Sequence, residues 1–192
     1  MLSSGVPMLN MGDEVSRSQN GSNNAYSLPT HFDSESPETF NGGWALPWDL
    51  DAPAKDILAT VQTLAQIRQT YLADVASEFF TGIVDQGTKR KDIAWFSLGG
   101  REMSDDHWAD EEKRSINVFV EADPMRGLLL LMNSSTEETL FTLPDQQWGQ
   151  SFRCIFDAAH DVDSYQPVLK TPGAKITVAA HATQVWLVTR TR

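Results

Sequence analysis

The sequence predicts a mixed fold, in which one strand-like segment and one helix precede an antiparallel β-sandwich. Three observations predict it. The second half holds seven short apolar segments, several alternating with period two, with turn residues between them. A single helical stripe lies upstream of these segments. Upstream of the helix stands an apolar run with strand character and no neighbour to pair with.

The seven segments are residues 93–98, 115–120, 128–133, 139–143, 151–157, 174–179 and 184–189. Alternation is clear in Ile116, Val118 and Val120, and again in Val185 and Leu187. Gly99-Gly100, Asp123-Pro124, Pro144-Asp145 and Pro172-Gly173 punctuate them as turns. Short strands at this spacing indicate a sandwich. The boundary before them falls within residues 80–88, which divides the chain into domains 1–80 and 81–192.

The helix is expected to start at Asp51, an N-cap, with Pro53 in the first turn, where a missing N–H does no harm. Ile57, Val61, Leu64, Ile67 and Leu72 form its apolar stripe, and Lys55, Gln62, Gln66 and Gln69 lie mostly elsewhere. Its end is expected between Tyr71 and Ser77. Residues 5–11 read as a short buried strand that stops at Gly12-Asp13-Glu14, with Pro7 tolerated only near a strand start or on an edge. Residues 16–43 form a long polar stretch, of the kind that is functional or disordered. Trp44, Leu46 and Trp48 close it.

Composition narrows the class. The chain has 192 residues, 41% of them hydrophobic, which is enough for a real core. Its apolar runs are too short for a membrane-spanning helix, and residues 1–11 lack the basic start and cleavage pattern of a signal peptide. Cys154 is the one cysteine; beside Phe152, Ile155 and Phe156 it reads as a buried structural thiol. That points to a reducing compartment and a cytoplasmic protein. The net charge of −11 disfavours nucleic acid and anionic membrane as partners, while a neutral substrate would be indifferent to it.

Few residue patterns point to catalysis. Asp13-Glu14 is the best-placed acid pair, but neighbours in an extended segment point opposite ways. The structural role, one acid bonded to backbone N–H groups of its own loop, is preferred. His160-Asp161 falls in a polar loop between strands. Arg90-Lys91-Asp92 reads as a solvated charged linker. His31, His107, His160 and His181 stand at no metal-ligand spacing, so no metal is expected. The sequons at Asn20 and Asn133 carry no meaning in a cytoplasmic protein. Trp95, Trp108, Trp148 and Trp186 sit in or beside strands and are expected in the core, and packing is also preferred for Trp44 and Trp48. For Tyr26, packing and contact with a sugar ring stand level.

One family resemblance ties these pieces together. The run Gly5-Val6-Pro7-Met8-Leu9-Asn10-Met11-Gly12-Asp13-Glu14-Val15-Ser16-Arg17-Ser18-Gln19, then Gly21 and Asn23-Asn24-Ala25-Tyr26, is similar to the eighth strand and following loop of isoamylase-type glycogen debranching enzymes of the α-amylase superfamily. Gly-Asp-Glu alone is shared by many amylases; joined to Arg-x-Gln and Asn-Asn-Ala-Tyr it is specific to the debranching branch. Asp92-Ile93-Ala94-Trp95-Phe96, Gly100-Arg101-Glu102-Met103-Ser104 and Trp108 resemble the start of the same enzymes' C-terminal β-domain, and the match continues through residues 128–133 to Leu187.

The resemblance implies the last strand and last helix of a (β/α)8 barrel, followed by the C-terminal antiparallel β-sandwich, and so accounts for the orphan strand. It implies an α-1,6-glucosidase lineage acting on α-glucan (glycogen, limit dextrin) with no cofactor. The family's nucleophile, acid/base and stabilising Asp lie on earlier barrel strands, and no position here matches them. The expectation is a C-terminal fragment with no catalytic residue of its own, whose partner would be the missing barrel portion. Arg17, Gln19, Asn23, Asn24 and Tyr26, on the catalytic face, would shape the substrate cleft. Two other readings stay open: a non-catalytic glucan-binding or interaction module, and a subunit completing a split enzyme in trans.

Overall fold

The computed structural model describes residues 1–3, 5–18, 48–73, 75, 79–162 and 164–190. The chain forms two compact units, one of Met1–Val6 with Thr63–Arg192 and the other Pro7–Gln62. The fold is mostly antiparallel β-sheet with few helices.

In the smaller unit, α1 (Ala52–Tyr71, continuing into the larger unit) starts where Asp51 Oδ1 accepts the Ala54 N–H at 2.9 Å, as an N-cap does. Residues 5–11 form no strand. Val6 is 95% and Met8 97% exposed, and Leu9 and Met11 are exposed as well. The expected buried strand is therefore absent. A strand is stable only where a neighbour takes up its N–H and C=O groups, and no described strand pairs with this segment.

Among the described residues of the larger unit eight strands form two sheets. They are β1 (Ile93–Phe96), β2 (Ser115–Asp123), β3 (Arg126–Asn133), β4 (Thr139–Thr142), β5 (Ser151–Asp157), β6 (Leu169–Lys170), β7 (Lys175–Val178) and β8 (Ala182–Thr189), with a four-residue helix α2 (Asp105–Trp108) after β1. The six-stranded sheet runs β1-β2-β3-β8-β5-β6, and the other pairs β4 with β7. The pairings are all antiparallel.

Period-two alternation sorts the side chains of the large sheet onto two faces. Ala94, Phe96, Phe119, Leu129, Leu131, Phe152, Cys154, Trp186 and Val188 face one cluster, completed by Phe141, Ile176 and Val178 of the small sheet and by Trp148. Trp148 meets Phe96 and Phe119 edge-on at 4.8 and 5.3 Å. Val118, Val120, Leu128, Leu130, Val185 and Leu187 face the second cluster, which Ile67 and Leu72 cover. Arg68 of α1 fastens residues 1–5 to this unit by donating to the carbonyls of Met1 (2.8 Å), Ser3 (2.7 Å) and Gly5.

Two polar residues pin the sheets. Asn133 is buried; its Nδ2 donates to the carbonyls of Glu137 (2.8 Å) and Ala179 (2.9 Å), and its Oδ1 accepts from Ser115 Oγ (2.8 Å). That burial gives its sequon a structural role. Arg90 corrects the solvated-linker expectation, because it is 0% exposed. It pairs with Glu121 at 2.8 Å, donates to the Trp148 carbonyl at 2.8 Å and lies over the Phe119 ring at 4.9 Å. Asp92 is also engaged, accepting N–H groups of Thr81 (2.7 Å), Gly82 (2.7 Å) and Ile93 (2.8 Å).

Candidate functional site

The turn that carries Arg17 is built around Gly12. Its φ of 98° is left-handed, a conformation glycine adopts without a Cβ penalty. A 3-10 turn, Asp13–Val15, follows, so Asp13 and Glu14 are not in the extended conformation expected for them. Glu14 Oε2 accepts the Gly12 N–H at 2.8 Å, and the Arg17 N–H reaches the Gly12 carbonyl at 2.9 Å. Glu14 thus holds its own loop, the structural role preferred for it. Arg17 is half-buried just beyond. Gln19, Asn23, Asn24, Tyr26, His31, Trp44 and Leu46 lie outside the described residues, as does most of the long polar stretch.

In the larger unit a cleft of about 430 Å³ opens around His160. A bulge in β5 between Cys154 and Phe156 shifts the register, so that Phe156 joins the second cluster and Asp157 pairs with Gln184 on the other face. The result is a buried relay. Trp186 Nε1 donates to Gln184 Oε1 at 3.1 Å, and Gln184 Nε2 donates to Asp157 Oδ2 at 2.7 Å. The same carboxylate oxygen faces His160 Nδ1 at 3.2 Å. Asp157 therefore orients His160.

Burial pushes the Cys154 thiol up to about 11 and also raises the Tyr165 hydroxyl, which bonds to it. Both stay protonated at neutral pH, so neither supplies a nucleophile or a base to this cleft.

A second groove, about 390 Å³, lies beside Trp108 with Ile116 and Met132 in its lining. Trp95 stands 5.7 Å from Trp108 between ring centroids, with the planes at 72°. Trp95 is 37% and Trp108 53% exposed, whereas Trp148 and Trp186 are buried. The core placement expected for all four holds for two of them. On β1, Ala94 and Phe96 take the inner face, and period two sends Trp95 to the opposite one. Among the described residues no group of three or more His, Cys, Asp or Glu is arranged to hold a metal ion. No described helix is long and apolar enough to cross a membrane.

These elements define an antiparallel β domain whose His160 cleft makes hydrogen bonds but draws no ionised nucleophile from Cys154 or Tyr165. Residues 92–192 match the family model described as "Isoamylase, C-terminal", and the chain belongs to that family. The "Glycogen operon protein GlgX homolog" of Mycobacterium bovis is 29% identical over 165 residues, covering 79% of this chain and 21% of its own length. The isoamylase of a Flavobacterium species is 24% identical over 163 residues, covering 83% and 20%. The glycogen debranching enzyme of Dickeya chrysanthemi is 26% identical over 148 residues, covering 77% and 19%. The chain thus spans about a fifth of the length of the curated relatives it matches.

Proposed function

We propose that this chain is the C-terminal part of a glycogen debranching enzyme, acting on α-1,6-glucosidic branch linkages of glycogen and limit dextrin together with the rest of the catalytic barrel. The observation that carries the reading is the family match over residues 92–192, on one antiparallel β domain, in a chain whose curated relatives are debranching enzymes and isoamylase. In this reading residues 1–80 are the barrel's last strand, loop and helix, and residues 81–192 are the C-terminal sandwich. The exposed apolar side chains Val6, Met8 and Met11 support a strand that pairs once its neighbours are supplied.

Branch hydrolysis with retention needs two carboxyl groups about 5–5.5 Å apart across one sugar bond. Glu14 is turned back on its own loop, and no position of this sequence matches the family's catalytic acids. The chain's own contribution is then to close the barrel and to line its catalytic face with Arg17, Gln19, Asn23, Asn24 and Tyr26. We assign the activity to the cytoplasm, with α-glucan and the barrel portion as partners and with neither nucleic acid nor membrane.

The test is an assay on phosphorylase limit dextrin, with the chain alone and with the barrel portion of a debranching relative supplied in trans. The chain alone should release no maltooligosaccharide, and the mixture should. Release by the chain alone, or a mixture no better than the barrel portion by itself, overturns the reading.

A further inference from the structure

Trp95 and Trp108 leave indole surface in water that a folded β domain ordinarily covers. Both stand on regular elements and meet at their rings. Trp95 is held in β1 between the core residues Ala94 and Phe96. Trp108 closes α2, whose first turn is tied by the Ser104 N–H donating to His107 Nδ1 at 3.1 Å. With the planes at 72°, the two rings make a corner and not a flat platform. The adjoining groove is rimmed by His107, Asp110, Lys113, Arg114 and Ser134. Because His107 Nδ1 accepts a backbone N–H, the neutral ring carries its proton on Nε2, which remains as a donor. The rim mixes acidic and basic side chains, although the chain as a whole carries −11.

A pyranose ring fits these surfaces. Its C–H face lies against an indole, and its hydroxyl edge exchanges hydrogen bonds with a mixed polar rim. The corner selects among glucans. A β-1,4-linked chain is a flat ribbon that suits coplanar rings, whereas successive rings of an α-1,4-linked chain turn relative to one another and present their faces at an angle. We propose that the Trp95–Trp108 corner and its groove form a non-catalytic binding site for a curved α-1,4-glucan chain. It rests on the reading of this chain as a partner of α-glucan, and it adds a holding site on the β domain apart from the residue 17–26 loop.

The full chain is run through native gels containing glycogen or barley β-glucan and titrated with maltoheptaose while tryptophan fluorescence is followed. Maltoheptaose has no α-1,6 bond, so binding is read independently of debranching. Glycogen should retard the chain, β-glucan should not, and maltoheptaose should change the fluorescence. Trp95→Ala and Trp108→Ala should each weaken binding about fivefold to tenfold, and Trp108→Phe less than Trp108→Ala. Trp48→Ala, which removes an exposed indole in the other unit, should change nothing.

Undiminished binding by the Trp95→Ala/Trp108→Ala double variant overturns the site, as do equal retention by β-glucan, loss through Trp48→Ala, and a chain that binds no α-glucan because self-association covers the pair. If the double variant does not fold, Trp108→Ala alone decides, since this indole is half in solvent. Binding here with failed complementation in trans would defeat the debranching reading and leave this site standing; successful complementation with unchanged binding by the double variant would do the reverse.

Discussion

β3 and residues 5–11 are both short, strongly apolar runs, and they end up in opposite conditions. In β3 the side chains of Leu128, Leu129 and Leu131 are fully buried. The strand pairs with β2 on one edge and β8 on the other, and its two faces feed the two apolar clusters. In residues 5–11 the side chains of Val6 and Met8 stand almost wholly in solvent, and no strand forms. Strand formation is therefore not a property of the segment. Each large side chain gains about 1.5–3 kcal/mol on burial, but only where neighbours supply backbone partners on the edges and cover on the faces. β3 has both, and residues 5–11 have neither among the described residues.

The largest break of this contrast should come from Arg90, which ties the stretch before β1 to the sheet. Arg90→Ala leaves Glu121 partly buried without its cation, and should cost about 3–5 kcal/mol, read as a fall in urea midpoint or melting temperature. A change below 0.5 kcal/mol would mean that the stretch is not anchored there.

A smaller effect is expected at Asp92. Burial opposes its ionisation, but the N–H groups of Thr81, Gly82 and Ile93 outweigh it and hold the carboxyl below its ordinary 3.8. Because the folded form has the lower pKa, the stabilisation is fully present above that ordinary value and is lost as pH falls through the folded one. Asp92→Asn should cost about 1 kcal/mol at pH 7, since the group is partly solvated, and should flatten the acid side of the stability profile. Hydrogen exchange at Thr81 and Gly82 should report the loss first.

The smallest effect sharpens the contrast most. Met8→Lys should shift the stability of the chain by less than about 0.5 kcal/mol, because the side chain is already in water. The same change should abolish complementation of a barrel. An equal loss of stability and complementation would show that residues 5–11 already have a partner in the chain alone.

Seven of the eight described strands were legible, because turn chemistry and short apolar runs are local signals. β6 was missed: Leu169–Lys170 is two exposed residues at a sheet edge, and no alternation exists to be read. The sheet order was not legible either, since the β3–β8 pairing joins residues 49 (Asn133 with Ala182) to 63 (Arg126 with Thr189) positions apart. For Arg90, charge alone argued for solvent; only the joint arrival of Glu121, the Trp148 carbonyl and the Phe119 ring makes a dry arginine stable. Trp95 could have been found: with Ala94 and Phe96 inward, period two already sends it out. Of the candidate loop only Arg17 can be placed, so that reading keeps its basis in the sequence motif.

The position of β8 sets the timetable of folding. Ala182–Thr189 is the last of these strands to be synthesised, yet it sits between β3 and β5. Before those residues emerge, β1-β2-β3 and β5-β6 are separate ribbons, each with a bare edge on a nascent chain. The sheet can close only in one late, long-range joining event. A ribosome stalled upstream of Ala182 would therefore display two sticky ribbons for chaperones to shield.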